Sequence, residues 1–159
     1  MSRPRHFAAW LALAACVVLL DQATKWAITG AMRPGEARAL APFFNLVLTF
    51  NRGAAFSFLS DAGGWQREFF IAVALIATVI ILVLLWRSSA QLYRAGLTLI
   101  LGGALGNLWD RMVLGQVVDF LDFHALGWHW PAFNVADSAI TLGAALIILD
   151  GFSPDRDRR

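Results

Sequence analysis

Residues 69–86 read FFIAVALIATVIILVLLW, a run of 18 residues without a charge. An α-helix rises about 1.5 Å per residue, so a helix of this length covers most of the hydrocarbon core of a bilayer, which is about 30 Å thick. Arg87 follows directly and ends the apolar run. This stretch predicts a transmembrane helix, and it indicates a membrane protein rather than a soluble one.

The composition of the whole chain supports this class. Of the 159 residues, 58% are apolar and 15% are charged. A soluble domain of this size could not bury so much apolar surface. Cys16 is the single cysteine, which excludes an internal disulfide and a cysteine-based metal cluster. Basic residues concentrate at the ends and in one short loop, so no nucleic-acid partner is expected.

Three more segments are long and apolar enough to cross a bilayer. The four predicted spans are about residues 7–28, 69–86, 95–114 and 130–149, and a long loop covers residues 29–66. We therefore predict an all-α membrane protein, a four-transmembrane-helix bundle that forms a single domain over residues 1–159. Four helices can form a bundle unaided, so we expect a monomer.

The distribution of arginine predicts the orientation of these spans. Seven arginines fall on one side of a four-span protein, at both termini and between the second and third spans: Arg3, Arg5, Arg87, Arg94, Arg156, Arg158 and Arg159. The positive-inside rule places that side in the cytoplasm. Both termini are then cytoplasmic, and the loop at residues 29–66 faces outward.

This outer loop contains a strand-like segment. Apolar residues alternate along residues 43–50, which predicts a small β element resting on the membrane surface. An irregular loop is the alternative. Asn51 and Gly53 follow as a turn, where a contribution to a functional site competes with ordinary turn chemistry.

Asp119 and Asp137 are the strongest candidates for chemistry. They lie 18 positions apart, and each is set in apolar sequence. Carboxylates in membrane-type sequence are costly and usually have a function. Two carboxylates close together cannot both ionise easily, so one keeps a proton and the pair can serve as both acid and base. This pattern favours peptide hydrolysis by an aspartate dyad without a metal. The alternative is that each aspartate caps a helix near the outer surface.

Neighbouring polar residues could support this pair. Asn134 precedes Asp137 by three residues, so it shares its helical face or caps the fourth helix. Asn107 and Arg111 lie four residues apart and point the same way. For Arg111, pairing with a carboxylate to hold the bundle together is the alternative.

The remaining intramembrane charges favour structural roles. Asp21 and Lys25 form an acidic-to-basic pair four residues apart inside the first span, which is far less costly than two lone charges. Asp110 is expected to contribute to the same packing. His124 and His129 have no ligand companions at metal-binding spacing, so we expect no metal site there.

Five segments, in this order, carry a resemblance to a known family: DQATK at 21–25, NRGAAFS at 51–57, GALGNLWDR at 103–111, VVDF at 117–120 and FNVADSA at 133–139. Together they span most of the chain, and as a set they are specific. The chain closely resembles bacterial lipoprotein signal peptidase, or signal peptidase II, a family of aspartic membrane peptidases.

The resemblance implies an aspartic endopeptidase of the bacterial inner membrane whose active site faces the periplasm. Its substrate would be a diacylglyceryl-modified prolipoprotein, cleaved just before the lipidated cysteine to release the signal peptide. No cofactor is implied. The implied partners are membrane lipids and globomycin-type peptide inhibitors.

The family's functional positions fall on residues of this chain. The implied catalytic pair is Asp119 and Asp137. The implied substrate-binding or site-supporting residues are Asn51, Gly53, Asn107, Arg111 and Asn134. The first-helix pair of the family matches Asp21 and Lys25.

Other functional classes compete with this interpretation. Intramembrane charges also occur in small proton-coupled transporters, which would need acidic groups across the membrane, whereas here they cluster towards the outer side. A non-enzymatic assembly factor would need the packing faces but not the pair of aspartates. A presenilin-type protease would carry a Gly-x-Gly-Asp element, and Asp119 instead follows Val118.

Overall fold

The computed structural model describes residues 3–53 and 63–152, and side chains from residue 7 onward within them. These residues form four helices: α1 (Arg3–Ala31), α2 (Gln66–Arg87), α3 (Gln91–Leu114) and α4 (Val135–Gly151). They also form four strands: β1 (Ala37–Ala41), β2 (Phe44–Asn51), β3 (Val117–Ala125) and β4 (Trp128–His129). Residues 54–59 and the C-terminal arginines, on which sequence predictions were made, lie outside the described residues.

Helix α3 is the centre of the bundle, because α1, α2 and α4 all pack against it. Small residues allow these close contacts. A Cβ added to Gly96 would lie 2.6 Å from the carbonyl oxygen of Gly143 on α4, and one added to Gly102 would lie 2.6 Å from Val17 Cβ on α1. The helices therefore approach almost backbone to backbone, as small-xxx-small faces permit in membrane proteins.

The outer surface of the bundle is apolar. Within the described residues, two helical segments are long and apolar enough to cross a membrane, Phe7–Ala31 and Gln66–Arg87. On α2, Ile76 and Val79 are each 62% exposed, so they face away from the rest of the protein. The expected count of four spans includes α3 and α4 as well, and it stays a prediction.

The strands form one antiparallel sheet in the order β1-β2-β3-β4. Strand β2 confirms the strand predicted over residues 43–50, but the sheet is not confined to the first loop. Strand β3, from the segment between α3 and α4, pairs with β2 so that Asp119 lies opposite Thr49. Strand β3 was not predicted from the sequence, because both of its faces are buried from Val117 to Phe120 and the segment therefore lacks alternation of apolar and polar residues.

The fourth helix begins later than predicted. It starts at Val135 rather than near residue 130, because Phe133 is still paired with Leu121 of β3 through backbone hydrogen bonds. Asn134 is the N-cap, with its side-chain oxygen accepting from the backbone N–H of Asp137. The alternative that Asp119 caps a helix is wrong, since Asp119 lies within a strand.

Candidate active site

The two aspartates meet where the sheet touches the end of the bundle. Asp119 points from β3 and is only 2% exposed, while Asp137 lies in the first turn of α4 and is half-buried. Asn134 connects them. Its Nδ2 donates to Asp119 Oδ1 at 2.7 Å, and its Oδ1 accepts from the backbone N–H of Asp137 at 2.9 Å. One side-chain amide therefore bridges the two carboxylate-bearing residues that the sequence singled out.

Asp137 receives two hydrogen bonds. The backbone N–H of Asn134 donates to Oδ2 at 3.3 Å, which completes a capping box with the side chain of Asn134. Asn107 on α3 donates from Nδ2 to Oδ1 at 2.8 Å. The carboxylate also lies near the positive end of the α4 macrodipole. These interactions favour an ionised Asp137.

Asp119 has a different environment. Burial raises the pKa of Asp119, and the nearby charge of Asp137 raises it further, to about 7, although hydrogen bonds from Asn51 and Asn134 oppose this rise. A carboxyl with this pKa exchanges a proton near neutral pH. The pair thus combines a carboxyl group that can exchange a proton near neutral pH with a second carboxyl group that accepts two hydrogen bonds.

The segment between α1 and α2 reaches the pair through Asn51 and Gly53. Asn51 ends β2 and hydrogen-bonds to Asp119. Its Oδ1 accepts from the backbone N–H of Gly53 at 2.8 Å. Arg111 donates from Nη2 to the carbonyl of Gly53 at 2.8 Å and stacks on the ring of Phe70 at 5.0 Å. The site thus combines residues from α3, α4, β2 and β3.

A buried charged cluster lies beneath this site. Lys25 on α1 forms ion pairs of 2.8 Å with both Asp21 and Asp110, and all three side chains are at most 3% exposed. Asp21 Oδ1 accepts from the backbone N–H of Ala136 at 2.9 Å. The cluster therefore ties α1 and α3 to the start of α4.

Gln22 is a member of this cluster that sequence reasoning missed. It donates from Nε2 to Asp110 Oδ1 at 2.9 Å and to the carbonyl of Gly106 at 3.2 Å. Its position next to Asp21 in the first quoted segment was the available signal. Gly106 is also required by packing, since an added Cβ would lie 2.6 Å from Asp21 Oδ2.

The two histidines lie elsewhere, at the far end of β3. Their rings stack at 4.8 Å, and His129 Nδ1 lies 2.9 Å from Asp122. Burial alone would raise the pKa of Asp122, but hydrogen bonds from Asn45 and His129 outweigh it and lower that pKa. The described residues contain no group of three potential metal ligands. An open cavity of about 420 Å³ beside the histidines is lined mainly by aromatic side chains.

Comparison with solved structures defines the class of protein. One described as a bacterial membrane enzyme structure, at 2.3 Å resolution, superposes with a TM-score of 0.84 and 32% identity, covering 96% of this chain and 92% of that chain. A second with the same description, at 1.9 Å, gives a TM-score of 0.78 and 34% identity over 92% of this chain and 94% of the other. The chain therefore has the fold of a bacterial membrane enzyme.

The family follows from sequence comparison. Residues 13–153 match the model of the signal peptidase (SPase) II family, and the chain belongs to that family of proteases. It is 56% identical to the lipoprotein signal peptidase of Paraburkholderia phymatum over 153 residues, which cover 94% of this chain and 92% of the relative. It is 58% identical to that of Ralstonia nicotianae over 142 residues, which cover 89% of this chain and 82% of the relative.

Proposed function

We propose that this protein removes the signal peptide from diacylglyceryl-modified prolipoproteins, cutting just before the lipidated cysteine at the outer face of the bacterial inner membrane. The family membership and the names of the relatives support the substrate class. The observation that carries the chemistry is the amide of Asn134, which joins Asp119 and Asp137 at one site.

The proposed reaction uses the pair as acid and base. The ionised carboxylate takes a proton from a water molecule, whose oxygen attacks the scissile carbonyl carbon. The protonated carboxyl gives its proton to the carbonyl oxygen, forming a neutral tetrahedral intermediate. The carboxyl group that took the proton from water then gives it to the amide nitrogen, and one hydroxyl of the intermediate returns a proton to the other carboxylate. The C–N bond breaks, a carboxylic acid and an amine leave, and the pair is again singly protonated. The hydrogen bonds to Asp137 and the raised pKa of Asp119 support Asp137 as the base and Asp119 as the proton carrier.

The location of the pair suits a substrate anchored in lipid. Asp137 lies in the first turn of α4, and we propose that α1 to α4 all cross the bilayer with both termini in the cytoplasm. Asp137 would then lie near the outer surface of the membrane. The scissile bond of a lipidated substrate can reach that level while its acyl chains stay in the bilayer.

Arg111, Asn51 and Gly53 are proposed to bind the extended peptide next to the scissile bond. Arg111 and Asn51 bring polar side chains to the site, and Gly53 lies two residues beyond the end of strand β2. A substrate backbone in this position would find N–H and carbonyl partners of the kind that strands use. Globomycin-type peptides would bind in the same place.

The test is a gel-shift cleavage assay with purified protein in detergent. A diacylglyceryl-modified prolipoprotein and its unlipidated precursor are the two substrates. We expect cleavage of the lipidated form alone, lost in both Asp119→Asn and Asp137→Asn. Asp122→Asn is the matched control, because Asp122 is a buried carboxylate on the same strand that contacts Asn45 and His129 instead. Activity retained in both dyad variants would refute the proposal and favour a scaffold.

A further inference from the structure

Lys25 makes a contact that an ion pair within the bundle does not require. Besides Asp21 and Asp110, its Nζ lies 3.0 Å from Oδ1 of Asn107. An ammonium group has three N–H donors and no acceptor, so these three partners use its full hydrogen-bonding capacity. The third contact leads away from the charged cluster and towards the pair of aspartates.

The side chain of Asn107 lies between Lys25 and the candidate dyad. Its Oδ1 accepts from Lys25 and also from Asn134 Nδ2 at 3.3 Å, while its Nδ2 donates to Asp137 Oδ1 at 2.8 Å. The two ends of a side-chain amide differ only in whether they accept or donate. Since Lys25 can only donate, it holds the oxygen of Asn107 on its own side and the NH₂ group towards Asp137.

Asn134 is oriented differently. Its Oδ1 accepts from the backbone N–H of Asp137, so the local geometry of the helix terminus determines which way its amide points. Asn107 accepts no such backbone hydrogen bond among the described residues. Its orientation depends on side chains: Lys25 donates to its oxygen at 3.0 Å, and the carboxylate of Asp137 accepts from its NH₂ group at 2.8 Å.

We propose that Lys25 is a positioning residue for Asp137 that acts by fixing the amide orientation of Asn107. The inference rests on the proposed peptidase function. Without the ammonium, the oxygen of Asn107 loses its charged donor, and the amide is freer to leave the geometry in which its NH₂ group donates to Asp137. A purely structural Lys25 would instead stabilise the bundle without a specific effect on the reaction.

A double-mutant cycle separates these roles. Lys25→Met keeps the length of the side chain but removes its charge and donors, and Asn107→Ala removes the amide. We expect Lys25→Met to lower kcat by about 10- to 100-fold, the effect of one charge-assisted hydrogen bond, with KM changed by no more than about twofold. In the Asn107→Ala background, the same substitution should change kcat by no more than about twofold.

If Lys25→Met lowers kcat by the same factor in the wild type and in Asn107→Ala, the two residues act independently and the inference is wrong. An unchanged kcat in Lys25→Met would also overturn it. The wild-type protein in the same assay reports on the proposed function by itself. If it cleaves the lipidated substrate while the cycle is multiplicative, only the inference about Lys25 fails. If the wild type does not cleave, both ideas fail.

Loss of folding is a foreseeable complication, because Lys25→Met leaves two buried carboxylates without their cation. Thermal unfolding and size-exclusion chromatography detect it. In that case the cycle is repeated with Asp21→Asn as the reference protein. Asn at this position keeps an oxygen for the backbone N–H of Ala136, and it removes one of the two uncompensated charges. The same expectations for kcat apply.

Discussion

Asn134 has two functions that a pair of substitutions should separate. Its oxygen caps α4, and its Nδ2 donates to Asp119 at 2.7 Å from a fully buried position. Asn134→Ser keeps an oxygen for the cap but loses the donor to Asp119, whereas Asn134→Ala loses both. Serine and asparagine are about equal as N-caps, and alanine costs about 1 kcal/mol relative to either.

The expected magnitudes follow from these contacts. For a chain of this size, 1 kcal/mol corresponds to about 2–4 °C, so the alanine variant should melt about that much below the serine variant. Both variants should lose about 10- to 100-fold in kcat, because each lacks a hydrogen bond of roughly 1.5–3 kcal/mol to a carboxyl group. Thermal unfolding in detergent and the cleavage assay measure the two quantities.

Asn45→Ser is the matched control for both measurements. Asn45 donates to Asp122 at 2.8 Å in the same sheet, away from the candidate dyad, so its loss should leave kcat within about twofold of wild type. A serine variant of Asn134 with wild-type activity would refute the idea that the amide acts on Asp119. Equal melting temperatures for the serine and alanine variants would refute the capping role.

Two further predictions concern packing and pH. Gly106→Ala should lower the free energy of unfolding by about 3 kcal/mol or more, because the new methyl group would lie 2.6 Å from Asp21 Oδ2 and disturb a buried ion pair. Gly30→Ala is the control, because a methyl group there has open space. Equal losses of the free energy of unfolding in the two variants, measured by chemical denaturation, would show that this packing argument is wrong. Because the pKa of Asp119 is raised to about 7 from 3.8, the folded protein holds this proton more tightly than the unfolded chain, and the stability linked to it is full below about pH 4 and lost as pH rises through 7. The melting temperature of Asp119→Asn minus that of wild type should therefore increase between pH 4 and 8, and a constant difference would contradict the raised pKa.

The sequence predicted the helices better than the sheet. Long apolar runs identify α1 and α2, since length and hydropathy alone describe a segment that fits a bilayer. Strand β3 carries no such signal, because it packs against the bundle on one face and is covered on the other. The start of α4 was placed too early because the pairing of Phe133 with Leu121 depends on a strand that the sequence did not reveal.

The residues of the candidate site were predictable, but their connections were not. Asp119, Asp137 and Asn134 stand out as polar residues in apolar sequence. The hydrogen bond from Lys25 to Asn107 joins residues 82 positions apart, and no local spacing predicts it. The orientation of an amide depends on its neighbours in three dimensions, so it becomes visible only once the helices are packed.

The close approach of α3 and α4 also restricts the routes by which a molecule can enter from the lipid. The carbonyl oxygens of Gly96 and Gly143 each lie 2.6 Å from the point where the other residue would carry a Cβ, so not even a methyl group fits between the two backbones there. An acyl chain is wider than this gap. In the proposed arrangement, with all four helices in the bilayer, an acyl chain would therefore reach the aspartates by passing around α3 and α4 and not between them at this contact.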